Sequence, residues 1–153
     1  MKYHYKIAIL LFIVFLFPLY SFTDEPIVAK RPLYNAYIAC SDVELPYLSK
    51  KIFDSLIAMP LCAKDSLMNT YPIQSFEINY AERGLYQDSA GLPIIFTDYS
   101  SVQCKGNSIP KEWVNIFNER SYKGDTIYID NIKVLGAENR SFGCKGLKII
   151  IKE

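Results

Sequence analysis

The sequence predicts a β-rich α+β fold: an antiparallel sheet or sandwich-like domain with two short helices, in a single domain. Three observations predict it. Apolar and polar residues alternate over Ile73–Tyr80 and again over Thr126–Val134. Only two stretches carry the three-and-four spacing of a helix face. The length of 153 residues, half of them hydrophobic and 14% aromatic, suffices for one packed core.

The elements follow in chain order. Residues 1–23 (MKYHYKIAILLFIVFLFPLYSFT) have the layout of a signal peptide. Lys2 and Lys6 precede an apolar run, Ile7–Leu19, broken only by Pro18, and small residues stand at Ser21 and Thr23. The run is short against the roughly 20 residues of a transmembrane helix. Cleavage is the expectation; a retained N-terminal anchor is the alternative, and membrane attachment follows only from that. No Cys follows the run directly, which argues against a lipoprotein. Residues 24–35 are a linker, opened by the polar, proline-bearing Asp24–Pro32, and the domain occupies 36–153. Leu33–Ala39, rich in Tyr, straddles that boundary as a first strand.

Ser41–Pro46 reads as a turn. In Leu48–Met59, the stripe Leu48, Ile52, Phe53, Leu56 and Ile57 predicts an amphipathic helix capped by Ser49 and ended by Pro60. Cys62–Tyr71 reads as irregular. Ile73–Tyr80 is a half-buried strand, Glu82–Gly91 a turn-rich connection and Leu92–Thr97 a second strand, so the pair suggests a hairpin. Ser101–Asn107 (SVQCKGN) reads as a loop. Ser108 is a candidate N-cap of a second helix, with Pro110 in its first turn and Trp113, Ile116 and Phe117 on its buried face. Gly124 supplies a turn before Thr126–Val134, where Asn131 shifts the alternation and hints at a bulge. Gly136–Gly143 reads as a turn and Gly146–Ile151 as the closing strand.

Charge and residue counts exclude several function classes. With 17 Lys+Arg against 16 Asp+Glu, nothing suggests nucleic-acid binding. The single histidine, His4, lies in the signal segment, along with Lys2 and Lys6. Beyond residue 23 the chain has 15 basic and 16 acidic residues and no histidine. Ser–His and Cys–His nucleophiles, His acid–base chemistry and His-ligated metals are thereby excluded from that part. No catalytic, metal-binding or cofactor-binding residue is singled out, and no cofactor is expected.

The four cysteines, Cys40, Cys62, Cys104 and Cys144, all follow the signal segment. Their even number and an oxidising destination predict disulfides. Of three connectivities, Cys40–Cys62 with Cys104–Cys144 is favoured, because each joins neighbouring elements of this layout. Four buried thiols are the alternative. A zinc site is disfavoured, since there is no CxxC spacing.

The carboxylates are scattered, and no motif pairs two of them as a glycosidase requires. Asn139-Arg140-Ser141 matches the N-glycosylation sequon, which matters only in a eukaryotic secretory host. Asp54-Ser55, Asp65-Ser66, Asp88-Ser89 and Asp125-Thr126, each followed by an apolar residue, resemble O-glycosylation sites of Bacteroidota. Turns and caps also favour Asp-Ser.

A family resemblance rests on the second half. It runs through Ser75-Phe76-Glu77, a Gly-containing turn, LPIIFT, a short helix, GDTIYIDNIKVLGAENR and KGLKIIIKE. The closest part is Gly124-Asp125, Ile127-Tyr128-Ile129, Ile132-Lys133-Val134, Gly136 and the last apolar strand; LSKKIFDSL is similar more loosely. This pattern resembles the C-terminal domain of the GldM/PorM gliding-motility family of Bacteroidota, over residues 36–153. The matched residues belong to turns and strands and include no catalytic signature. The full-length members add a membrane helix and a helical coil that are not expected in this chain, so a motor role does not carry over. The resemblance implies a secreted or periplasmic, non-enzymatic protein-interaction module, exported to the periplasm or cell envelope, with an envelope protein as partner.

The contact surface is expected at a sheet edge, either Leu33–Tyr37 or the final strand. The alternative function is a small secreted hydrolase acting on glycans through a carboxylate pair. A homodimer is compatible with either reading.

Overall fold

The computed structural model describes residues 33–43, 45–136 and 139–153. The expected signal peptide, its alternative as an anchor, and most of the linker lie outside the described residues. The described chain forms a β-rich α+β domain. Its strands are β1 (Tyr34–Tyr37), β2 (Tyr47–Ser49), β3 (Cys62–Lys64), β4 (Thr70–Tyr71), β5 (Ile73–Gln87), β6 (Pro93–Lys105), β7 (Thr126–Leu135), β8 (Ser141–Lys145) and β9 (Leu147–Lys152). Its helices are α1 (Lys50–Ile57) and α2 (Lys111–Arg120), with a 3-10 turn at Ile38–Cys40.

β7 is the centre. β5 pairs with one of its edges, and β6 pairs with β5 alone. The other edge of β7 carries β9 opposite Thr126–Ile129 and β8 opposite Lys133–Leu135, so the two run end to end. Gly146 joins them where a Cβ would lie 2.9 Å from the Ile129 carbonyl oxygen, an approach that only glycine permits. Outside them the sheet divides: β1 lies parallel to β8 and continues to β3 and β4, while β2 lies parallel to β9. The sheet is therefore mixed; the long strands obey the antiparallel expectation and two short pairs are parallel.

Alternation explains the core strands. Ile127 and Ile129 point inward; Asn131 then adopts a left-handed conformation (φ 51°) and resets the phase, so that Ile132 and Val134 are also buried. The register between β5 and β7 shifts there, so the bulge read from Asn131 is present. Both helices pack over the same face. Phe117 of α2 lies edge-to-face against Phe53 of α1, at 5.7 Å, and against Tyr80 of β5, at 5.3 Å. Lys50 at the start of α1 donates to the Phe117 and Asn118 carbonyls, where a cation complements the end of α2.

Helix α1 is capped by Ser49, which accepts from the Ile52 N–H, and it buries Phe53 and Ile57. It is shorter than the expected Leu48–Met59. Leu48 is buried from a strand instead, and Ile52 faces outward. In α2 the N-cap position is Pro110 rather than Ser108, whose hydroxyl bonds Asn107. Trp113 and Ile116 are half-buried and only Phe117 is fully enclosed.

Four stretches expected to lack strands contain them, Glu82–Gly91 among them, since β5 runs on to Gln87. Cys62–Tyr71 holds β3 and β4, whose pairing to β1 and to each other supplies the order. Gly136–Gly143 ends in β8, and Ser101–Lys105 continues β6. β1 begins at Tyr34, two residues before the expected domain boundary.

The Cys40–Cys62 disulfide is present, with Cα atoms 4.9 Å apart. It links the turn after β1 to the first residue of β3, and closing 22 residues of chain stabilises the fold by roughly 3 kcal/mol. The expected Cys104–Cys144 disulfide is absent: both are free thiols. Cys104 lies on β6 and Cys144 on β8, with β5 and β7 between. Three strand spacings, about 14 Å, exceed the Cα separation of about 7 Å that a disulfide tolerates.

Neither expected edge is free. β1 is paired on both sides by β3 and β8, and β9 by β2 and β7. Among the described residues the open edges are β6, β2, β4 and the part of β5 beyond Ala81, where β7 no longer pairs with it.

Candidate functional site

The β5–β6 hairpin outruns the rest of the sheet. Its ladder is unbroken from Ser75↔Lys105 to Gln87↔Pro93. β7 stops supporting it at Ala81, which pairs with Thr126. From Glu82 outward the hairpin is a two-stranded arm, roughly 20 Å long. The expected turn-rich Glu82–Gly91 is thus mostly strand, and only Asp88–Gly91 turns. The Asp88 carboxylate accepts the Ala90 and Leu92 N–H groups, and Gly91 takes φ +78°. Asp65 builds a second turn in the same way, accepting from the Leu67 and Asn69 N–H groups. The Asn69 side chain, with these N–H groups and the Tyr71 hydroxyl, holds the Asp65 carboxyl below the usual range.

The arm exposes large apolar side chains on both faces. Leu85 and Ile95 stand opposite each other on one face; Tyr86 and Ile94 do so on the other. Phe96 lies over Gly84, where an added Cβ would meet its ring at 2.4 Å. Tyr99, 71% exposed, continues along β6. The Asp88 N–H donates to Leu92 and the Gly106 N–H to Gln74, so the even-numbered residues of β5 and β6 bond each other. The odd-numbered residues of β6, from Ile95 to Gln103, therefore turn their N–H and C=O groups to the open edge. β6 carries one charge between Pro93 and Gln103, Asp98, and no bulge. Beyond Pro93 at its start and Asp98, β6 carries none of the usual protections of an edge strand over Ile95–Gln103.

The root of the arm is held by Asp125, which is fully buried. Its carboxylate accepts from the Tyr80 hydroxyl at 2.6 Å, the Arg83 N–H at 2.8 Å and the Tyr122 N–H at 3.1 Å. Burial, reinforced by the bond to Asp125, raises the Tyr80 phenol above its ordinary pKa. The Tyr122 hydroxyl donates to the Arg83 carbonyl, and Arg120 pairs with Glu82. Asp125 follows Gly124, whose φ of +95° turns the chain away from the line of β7. A cleft of about 720 Å³ opens there, lined among others by Leu85, Ile95, Tyr122 and Lys152.

The remaining chemistry-bearing residues are dispersed. Two further clefts lie beside β7–β8 and beside β1–β9. Glu153 is the one carboxylate of the first cleft and Asp130 of the second, and the third has none. The carboxylate pair of a glycan hydrolase is not assembled in any of the three. Glu44 and Glu138 lie outside the described residues. Among the described residues no group of His, Cys, Asp and Glu has the arrangement of a metal site. Burial pushes both free thiols, Cys104 and Cys144, up to about 11. Ser55, Ser66 and Ser89 of the Asp-Ser sites are exposed, as is Asn139 of the sequon. Asp65, Asp88 and Asp125 serve the turns and the arm root.

The surface that sequence reasoning missed is the outer edge of β6. Its signal is present in LPIIFT followed by DYSSVQ, an apolar strand running on into more polar residues. Comparison with protein-family models, with curated proteins and with solved structures finds no match for this chain.

Proposed function

We propose that the chain is an exported, non-enzymatic protein-interaction module of the cell envelope, and that the arm and outer edge of β6 form its contact surface. The observation that carries this reading is the edge itself. Rungs from Ile95 to Gln103 are open, and Leu85, Tyr86, Leu92, Ile94, Ile95, Phe96 and Tyr99 are exposed around it. Together these side chains present roughly 900 Å², about one partner's share of a standard interface. A partner strand that pairs with β6 gains main-chain hydrogen bonds, while the apolar side chains confer selectivity.

Export is supported by the Cys40–Cys62 disulfide, which persists in an oxidising compartment, and by the layout of residues 1–23. Among the described residues no helix is long and apolar enough to cross a membrane. The likeness of residues 36–153 to the GldM/PorM C-terminal domain points to the same class of function.

The test is site-specific photocrosslinking in the native envelope, with a benzophenone amino acid in place of Tyr99 and, as a control, of Lys111 on α2. A discrete adduct is expected from position 99 and not from 111. Thr97→Pro, which removes one edge N–H, should abolish it. Equal labelling from both positions, or none from 99, would sink the proposal.

A further inference from the structure

The cleft at the arm root is a gap in the sheet one strand wide. Thr126, the first residue of β7, pairs with Ala81 on one side and Ile150 on the other. Both neighbours continue past it, β5 to Gln87 and β9 to Lys152. The chain ahead of Thr126 does not continue between them. It fills only the next rungs: Gly124 donates to the Ile151 carbonyl, Ile151 donates to the Asp125 carbonyl, and Asp125 and Tyr122 take up Arg83. Beyond those rungs, alternation turns the N–H and C=O groups of Leu85 and Gln87 into the gap from one wall, and the Glu153 N–H from the other. The walls start two strand spacings apart, about 10 Å, which is the width one extended strand occupies.

Side chains state what such a strand would carry. Leu85 and Ile95 form an apolar wall, and Tyr47 and Tyr122 add aromatic surface. The charged lining is Arg83, Lys123, Lys152 and Glu153, an excess of two cations. Lys123 pairs with Glu153, and Lys152 lies over the Tyr47 ring at 4.3 Å. Among the described ion pairs none engages Arg83, whose guanidinium reaches over Gly124.

We propose that this gap receives an extended, acidic segment of a partner protein, which continues the line of β7 by pairing with Leu85 and Gln87 while its carboxylates meet Arg83 and Lys152. This goes beyond the β6 surface: it uses the opposite edge of the hairpin and specifies the chemistry of what binds. A free anion would satisfy the cations but leave the rungs open. An uncharged strand would fill the rungs but leave Arg83 unpaired. Only an acidic strand does both.

The test titrates the acetylated, amidated peptide Ile-Thr-Val-Glu-Val-Asp-Val into the full chain labelled with nitrogen-15. Binding by about 1 mM peptide, with shifts at the Leu85, Gln87, Tyr122 and Gly124 amides, is the expected result. Replacing both acids with lysine, or N-methylating alternate peptide bonds, should each weaken binding at least tenfold. Arg83→Glu and, separately, Lys152→Glu should do the same while leaving the remaining amide spectrum in place. Absence of binding at that concentration overturns the proposal. So do shifts confined to the odd-numbered residues of β6, equal binding of the lysine or N-methylated peptide, or indifference to both variants. Crosslinking from Tyr99 reads the other edge, so the two readings fail separately.

Discussion

The inner and outer halves of the β5–β6 hairpin are one ladder in two environments. In the inner half Phe76, Ile78 and Tyr80 are at most 1% exposed, covered by α1 and α2. In the outer half Leu85, Tyr86, Ile94 and Ile95 stand in the open, on both faces of the ladder. Both halves are rich in apolar residues, on one face of β5 in the inner half and on both faces in the outer. They differ in neighbours, because β7 begins at Thr126 and supports β5 no farther than Ala81, and α2 ends at Arg120. Alternation specifies that a segment is a strand; what lies beside it decides whether its apolar face belongs to the core or to a partner.

That contrast can be broken at the inner end first. Phe117→Ala removes the ring shared by Phe53, Tyr80 and Trp113, and should cost about 3–5 kcal/mol in urea denaturation. A loss under 1 kcal/mol would mean the helices do not close over the inner half. At the boundary, Asp125→Ala leaves the Tyr80 hydroxyl and two N–H groups without their acceptor. It should cost roughly 2–3 kcal/mol and speed amide exchange at Arg83. Unchanged exchange there would show that the arm root is held by something else. At the outer end, Ile95→Thr should change stability by no more than about 0.5 kcal/mol. A loss comparable with that at Phe117 would show that the arm is covered within its own chain.

The thiols give a second reading of inside against outside. Unfolded without reductant, the protein should show two free thiols, not four or none. In the native state neither Cys104 nor Cys144 should react quickly at neutral pH. Their thiolates populate only as pH nears about 11, where labelling should accelerate. Fast labelling at pH 7 would contradict the burial of Cys104 and the partial burial of Cys144.

Local signals in the sequence proved reliable where the physics is local. Ser49 caps α1 through the Ile52 N–H three residues on, and Asn131 bulges β7 through its own left-handed backbone. The misreadings are non-local. β3 and β4 are too short to show a period, and their order comes from pairing with β1. Cys104 and Cys144 belong to elements that are neighbours in the layout read from the sequence, whereas the sheet order sets β5 and β7 between them. The candidate surface was legible as a strand but not as an edge, because sheet order is set by which chains lie alongside. Asp125 read as part of a turn; nothing local signalled that three donors would converge on it.

The disulfide has a mechanical consequence. The ring it closes, Cys40 to Cys62, contains β2, which lies on β9, and α1, which supplies Phe53 and Ile57 to the core. Tension drawn along the chain from its N-terminal side passes directly between the two sulfurs and leaves that ring unloaded. It falls first on the pairings of β1 nearest that side, Tyr34↔Cys144 and Asn35↔Lys145 with β8 and Asn35↔Lys64 with β3. Once that seam parts, the ring still withholds 22 residues, roughly 70–80 Å of contour, from extension.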